Sequence, residues 1–495
     1  MNRRKFLKLT ASTVTGSLSG VATDAFATRH TREHHHHHHP SHRGTTWNLT
    51  PAQAADITQV QAVANGAANG DTIVIPNGTY TWASALFING GKNPDGSGIG
   101  KSVNVYGETK GQVTINVNGT AVVSCASAPG YNVEIKNLTC REGPALSGGH
   151  TGHYFLWCQR IGDTWGTGFI QNGGVFLVHD CDFASAGNID AQVRWMEPGG
   201  VMWNNHFGVT GTGGYYDDAI QLQNSSDDYW ATESTMGTLD TTGLNNTYIE
   251  DNTFNQVGGN IYAVDCNDGS KTVLRYNQFI DTGCGNHGPD SCPYGLRHCE
   301  IYNNTFTHPT PSVRTYVWVF DRGAVCACYN NNFGALSGSN QIAYLMELET
   351  LRRGGTPFCC VATSYPASYP APRQQGWGWH AGAQVLDPTY IWNNTGAANS
   401  STVLIQDYSP DQCGNNQLTA NYVQQNREYY IGSAKPGYTT PTGSHPAAYP
   451  HPLIATVSGP PPSVRPVVTG INPTSGATAG GTTRTDKKPA KGVRE

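Results

Sequence analysis

Charge is what this sequence has least of. Only 13% of its 495 residues are Asp, Glu, Lys or Arg. That is too few for a coiled coil with charged flanking positions or for an acidic disordered chain. Lys and Arg number 30 against 35 Asp and Glu, a net charge of -5. No overall basic excess is therefore available for a nucleic-acid backbone. No run of about 18 apolar residues occurs, so the sequence offers no membrane-spanning helix. CxxC pairs are absent, which argues against a zinc ribbon. A P-loop and a strand-bound GxGxxG are also missing, which disfavours a nucleotide enzyme. Methionine is rare, at 5 residues. Glycine is abundant at 59 and aromatics make up 10%. The balance is that of a β-rich, turn-rich chain, since glycine usually stands at about 7%.

The two ends read as attachments to one large middle. The start, Asn2-Arg3-Arg4-Lys5-Phe6-Leu7-Lys8, is basic, and a Ser/Thr/Gly-rich, weakly apolar stretch runs on to Ala25-Phe26-Ala27. Basic flank, modest apolar stretch and small-residue cleavage site describe an export signal over residues 1–27. The paired arginines resemble the twin-arginine signal. Export places the protein outside the cell or at its surface. Residues 28–46 contain six consecutive histidines, 34 to 39, read as an added purification tract and left out of the fold argument. Cysteines number 13, an odd count, and export favours disulfides. Cys284 and Cys292 flank a loop that a bridge would staple; at least one thiol has no partner within the chain.

The middle repeats. An apolar residue, a polar one and then Asn-x-Phe recur around Phe183, Phe207, Phe254, Phe279, Phe306 and Phe333. The gaps between these Phe residues are 24, 47, 25, 27 and 27. The 47 reads as two periods, with one copy drifted beyond recognition. A period in the twenties without helical periodicity means a solenoid of short strands, each unit unable to bury its apolar face alone. Two residues before each Phe stand Cys181, Asn205, Asn252, Asn277, Asn304 and Asn331. Stacked one coil apart, the Asn side chains form a hydrogen-bonded ladder and the Phe rings stack in the core.

On these repeats the chain resembles the right-handed parallel β-helix superfamily that includes the pectate-lyase-like proteins. Asn69-Gly70-Asp71-Thr72-Ile73-Val74-Ile75-Pro76-Asn77-Gly78-Thr79-Tyr80 is similar to that superfamily's first coil. The resemblance implies an all-β, single-stranded, right-handed parallel β-helix over residues 47–455, capped by a short helix at about Pro51 to Ala68. Tyr449-Pro450-His451-Pro452-Leu453 resembles the usual close of such proteins. Residues 456–495 hold a Pro-rich linker and then Val468 to Thr482, which resembles the start of an Ig-like TIG domain, too short to complete one.

Outward columns are where a β-helix carries chemistry. Four residues before each Phe stand His179, Trp203, Glu250, Arg275, Tyr302 and Tyr329, a set suited to stacking on sugar rings. Lys271, Arg297 and Arg322 precede their Phe residues by 8, 9 and 11 and read as a cationic stripe for an acidic polysaccharide. Asp217, Asp218, Asp265 and Asp268 supply oxygen ligands for Ca²⁺. A cation at the substrate carboxylate acidifies the neighbouring carbon, a basic side chain removes that proton and the glycosidic oxygen leaves. Ser270-Lys271, Arg275-Tyr276-Asn277-x-Phe279 and His287-Gly288 resemble the alginate lyase and chondroitinase B family. That resemblance implies Lys271 as base. The family's acidic Arg falls on Asn286 here; Arg297 takes that part if its loop folds back, and His287 is a further candidate for general base or a turn residue. The expected function is polysaccharide β-elimination. Glycoside hydrolysis, through two carboxyl groups about 5–5.5 Å or 6.5–9.5 Å apart, and non-catalytic surface adhesion are the alternatives.

Overall fold

The computed structural model describes residues 44–88, 100–119, 121–128, 130–143, 153–160, 174–187, 189–196, 199–209, 218–223, 243–244, 246–256, 262–266, 270–285, 298–310, 317–323, 325–336, 344–349, 369–370, 375–380, 383–396, 402–405, 422–438 and 448–457. Three long parallel sheets of twelve, ten and ten strands hold nearly all of it. The chain visits them in rotation. Sheet 1 runs from Thr46–Asn48 to Tyr429–Ile431, sheet 2 from Gly78–Trp82 to Thr395–Gly396, and sheet 3 from Leu86–Ile88 to Val403–Ile405. Each turn of the chain lays one strand on each sheet, so the fold is a parallel β-helix. Such parallel crossovers are right-handed by the twist of their strands.

The corner between sheets 1 and 2 is the tightest, because two residues make it. The first takes a left-handed backbone, with φ between 52° and 61° at Asn137, Asp180, Asn204, Asp251, Tyr276, Asn303, Asn330 and Asn393. Asn and Asp tolerate that region best, which is why they recur there. The second residue is the ladder residue. Asn205 Nδ2 donates to Asn252 Oδ1 at 3.0 Å, Asn252 to Asn277 at 3.1 Å, and Asn277, Asn304 and Asn331 each to the next at 3.0 Å, ending on Asn394. Two residues later the rings stack. Phe183, Phe207, Phe254, Phe279, Phe306 and Phe333 follow at centroid spacings of 4.9, 5.0, 4.8, 4.5 and 4.8 Å, close to the strand spacing itself.

The 47-residue gap is not two coils. Phe207 pairs directly with Phe254, and Gly200–Trp203 directly with Thr247–Glu250. It is one coil whose extra length leaves after the sheet 3 strand Asp218–Gln223 and returns at Thr247. Insertion at a corner does not disturb the ladder, since register is fixed by strands and not by loop length.

The N-terminal end of the bore is closed by two helices, not one. Thr50 caps α1 (Pro51–Ala54) in a capping box and Asp56 caps α2 (Ile57–Gly66). Val60 and Ala64 face the core. Lys101 Nζ donates to the Ala64 and Asn65 carbonyls at 2.7 and 2.9 Å, placing a cation on the negative end of α2.

At the other end the chain doubles back. After Tyr429–Ile431 it crosses the outer face of sheet 1 as a strap. Tyr438 meets Tyr329 and Trp392 edge-on. Tyr449 stacks on Tyr276 at 3.6 Å, His451 meets Tyr248 at a tilt with centroids 4.3 Å apart, and Ile454 joins a buried cluster with Val201 and Trp203. The nine described cysteines, Cys284 among them, are all buried and unbridged; Cys292 lies outside the described residues. No helix among the described residues is long and apolar enough to cross a membrane.

Candidate functional site

The three outer faces differ in what they offer. Sheet 1 carries the column read from the sequence as a sugar platform, and its register is as expected: His179, Trp203, Glu250, Arg275, Tyr302 and Tyr329 are successive neighbours. Yet none is open to a polymer. All six are buried, Glu250 and Arg275 completely, because the strap covers the column from Trp203 onward. The pleat gives the direction of a side chain; it does not say that a segment some 170 residues later will roof it. Tyr302, Tyr329 and Trp392 stack on one another instead of on a ligand. His179, beyond the strap, is held between Glu134 (Nε2, 2.9 Å) and Asp180 (Nδ1, 2.7 Å) and lies on Trp203 at 4.0 Å. Burial pushes the Asp180 carboxyl up, and the His179 bond and Lys110 outweigh it, leaving it at about 2.

Sheet 2 carries Thr79, Thr114, Thr139, Asp182, His206, Thr253, Gln278 and Thr305 in its outer register, with His206 Nδ1 2.8 Å from Asp182 Oδ1.

Sheet 3 is different on two counts. The long connections of the chain enter or leave it, such as those from Gln223 to Thr247, from Gly285 to His298 and from Glu349 to Trp377. Its outer column is also mixed. Trp157, Arg194, Gln221, Asp265, Gly285 and Phe320 stand on successive coils, on the order of 24 Å in all at one strand spacing per coil. Arg194 is the best-organised member. Its side chain is 20% exposed. Nη1 donates to the Tyr154 hydroxyl at 2.5 Å and to Gln221 Oε1 at 3.0 Å. The guanidinium lies 5.3 Å from the Tyr154 ring and 5.6 Å from the Trp157 ring. The Tyr154 hydroxyl in turn donates to Asp190 Oδ2 at 2.8 Å. Burial pushes this phenol up, Arg194 opposes and Asp190 assists, leaving it at about 12. A planar cation fixed from three coils and flanked by aromatic faces is an arrangement that takes a planar anion carried on a ring.

The other residues anticipated from sequence are dispersed. Lys271 begins a sheet 1 strand, 5% exposed, and its register neighbours are His298 and Val325. Arg297 lies outside the described residues. Arg322 ends the sheet 3 strand Val317–Arg322. Lys271 and Arg322 therefore stand on different sheets and share no column. Cys266 Sγ and Thr272 Oγ1 are 3.4 Å apart, tying the end of one strand to the start of the next. Asp218 and Asp265 are both buried. Asp218 lies two residues before Ile220 and Asp265 one after Val264, the partner of Ile220, so the two have opposite parity on the sheet. Asp217, Asp268 and His287 lie outside the described residues. Among the described residues no group of three or more His, Cys, Asp or Glu is placed to hold a metal ion.

Tyr154, Asp190 and Arg194 were not anticipated. A signal for their sheet exists: Leu156-Trp157-Cys158, Val193-Arg194-Trp195, Ile220-Gln221-Leu222 and Val264-Asp265-Cys266 all place an outward residue between two buried ones.

No family profile and no curated protein matches the chain. Solved structures do. A PL6 family polysaccharide lyase from Pseudopedobacter saltans is 13% identical, with 72% of this chain and 77% of that one covered and a TM-score of 0.40. A mannuronic acid specific polysaccharide family 6 lyase from human gut microbiota is 14% identical, with 73% and 82% covered and a TM-score of 0.40. The A-module of the Azotobacter vinelandii mannuronan C-5 epimerase AlgE4 is 12% identical, with 74% and 98% covered and a TM-score of 0.32.

Proposed function

We propose that this is an exported, carbohydrate-active β-helix protein that binds an acidic polysaccharide along sheet 3 and cleaves it by β-elimination. The observation that carries the reading is the Arg194 guanidinium, held beside Trp157 on a half-buried face between long connections. A uronate ring stacks on the indole while its carboxylate meets the guanidinium. Neutralising that carboxylate makes the proton on the adjacent carbon easier to remove. Lys271, which opens the sheet 1 strand that follows the sheet 3 strand of Asp265, is the proposed base, with Arg297 and His287 as partners in proton transfer. Arg3-Arg4 and Ala25-Phe26-Ala27 support export, which N-terminal sequencing of secreted protein tests: the mature chain is expected to start near Thr28.

The test of activity is near-ultraviolet absorbance during incubation with polygalacturonate, polymannuronate and polyguluronate, with and without Ca²⁺. A rise reports the unsaturated product. Arg194→Ala is expected to lower kcat/KM about 100-fold, the equivalent of roughly 2.7 kcal/mol, and Lys271→Ala to remove the rise. Reducing sugar without absorbance would transfer the reading to hydrolysis, and binding without either product to adhesion.

A further inference from the structure

Export favours disulfides, yet the nine described cysteines are free thiols. None is more than 5% exposed. Some are close enough to bridge. Cys125 faces Cys158 on the next coil of sheet 3, and Cys299 faces Cys326 on the next coil of sheet 1. One strand spacing, about 4.8 Å, lies within the Cα range of a disulfide, about 4.4–6.8 Å. The Cys299 and Cys326 thiols are hydrogen-bonded to each other. Others have no thiol across the ladder. Cys284 lies between Val264 and Val319, and Cys328 between Ile301 and Ile391.

In an unfolded chain all of these thiols meet one another, and most of the bonds they can form are incompatible with the coil. Cys125 and Cys284 show why. Their strands, Val123–Ser127 and Gly283–Gly285, are five places apart in sheet 3, on the order of 24 Å. A bond between them, formed before the coils stack, excludes the strands that belong in between. The finished coil removes the hazard. Attack on a disulfide needs a thiolate and a path to it. Burial closes the path, and it pushes the Cys181 and Cys266 thiols up to about 12, leaving on the order of one in 10,000 ionised at pH 8.

We propose that the buried thiols fix an order of events: the β-helix is completed while they are reduced, the chain then leaves the cell folded, and the closed bore keeps them reduced in oxidising surroundings. This rests on the proposed export and adds the state in which the chain leaves. The competing reaction is thiol–disulfide exchange. One protein thiolate attacks glutathione disulfide and releases a glutathione. A second attacks the mixed disulfide, forms the protein S–S bond and releases the other. Two protein thiols lose two protons and two electrons, and the glutathione disulfide takes up both.

Cell-free synthesis of the full chain is the test, with trypsin resistance and the far-ultraviolet β-sheet signal reporting the fold. Synthesis with reduced glutathione is expected to give folded protein. Oxidised glutathione present from the start is expected to cut the folded yield about tenfold or more, with bridges among the nine found by peptide mapping. Added after folding, the same oxidant is expected to leave all nine open to alkylation once the protein is denatured. Equal folded yields with and without early oxidant overturn the proposal, because bridging then does not compete with folding. Loss of any of these thiols after folding also overturns it, because the bore is then not closed. Export is read separately, on protein from the culture medium. The expected result is a mature N-terminus near Thr28 with the same nine thiols free. A bridge at any of them in that protein overturns the proposal and leaves export standing. No secreted protein removes the export reading, and the folded exit with it.

Discussion

Glu250→Ala is expected to destabilise the protein by about 3–5 kcal/mol, because it leaves the Arg275 charge buried and unpaired. Both side chains are completely buried. Arg275 meets Glu250 Oε2 at 2.6 Å through both Nε and Nη2. Its Nη1 donates to the Tyr302 hydroxyl at 3.0 Å and its Nη2 to the Ala448 carbonyl at 2.9 Å. Glu250 Oε1 accepts the His451 backbone N–H at 2.8 Å. The pair therefore does two things: it links neighbouring coils, and it supplies donor and acceptor to the strap. Burial pushes the Glu250 carboxyl up and Arg275 opposes it, so the carboxylate depends on the cation as much as the reverse. Glu250→Ala/Arg275→Met is expected to recover part of the loss, since no charge is then stranded. Urea midpoints of the three proteins check this. Equal midpoints for the single and double variants would mean that Arg275 finds another counter-charge. Limited proteolysis adds a local readout, with the strap cut first in either variant because it has lost its anchors.

The same pair explains how far the sequence could be read. Phe and Asn columns were legible because each residue repeats at a constant offset and meets its own kind one coil away. The column of Glu250 and Arg275 was legible in register and misleading in exposure. A period tells which side of a strand a residue occupies, but covering by Tyr449 and His451 is a contact across some 200 residues that no local pattern encodes. Lys271 and Arg322 do not share a column for a simpler reason. Counting back from Phe279, Phe306 and Phe333 by one offset of 8 gives Lys271, His298 and Val325, which are the true neighbours. Arg194 was missed because sheet 3 has no recurring residue. Its strands follow corners of variable length, and only the apolar–outward–apolar triplets mark them.

The ladder gives the second large effect, with an unusual dependence on the replacing residue. Asn277 Oδ1 accepts both the backbone N–H and the side-chain Nδ2 of Asn252, at 3.0 and 3.1 Å. Its Nδ2 donates to the Ile249 carbonyl at 2.8 Å and to Asn304 Oδ1 at 3.0 Å. Asn277→Ala orphans the buried Asn252 backbone N–H and opens a small void, together about 2–5 kcal/mol. Asn277→Asp keeps the shape and both acceptor bonds, yet at neutral pH it is expected to be the worse variant. The new carboxylate oxygen points at two acceptors, Ile249 O and Asn304 Oδ1, and its charge has no counter-ion at that position. Burial and these acceptors raise its folded pKa above the unfolded value. Its contribution is therefore present in acid, where the carboxyl group donates as the amide did, and is lost as pH rises through the folded pKa. Denaturation midpoints taken from acid to neutral pH should cross, with Asn277→Asp above Asn277→Ala at the acid end and below it at the neutral end. Parallel curves would mean that water reaches the ladder and that the amides are not a sealed stack. The crossing has a structural reading as well. A solenoid whose coils differ in length needs a feature that does not vary, and from Asn205 to Asn394 it is a donor and an acceptor on one side chain, repeated from coil to coil whatever the loops between them do.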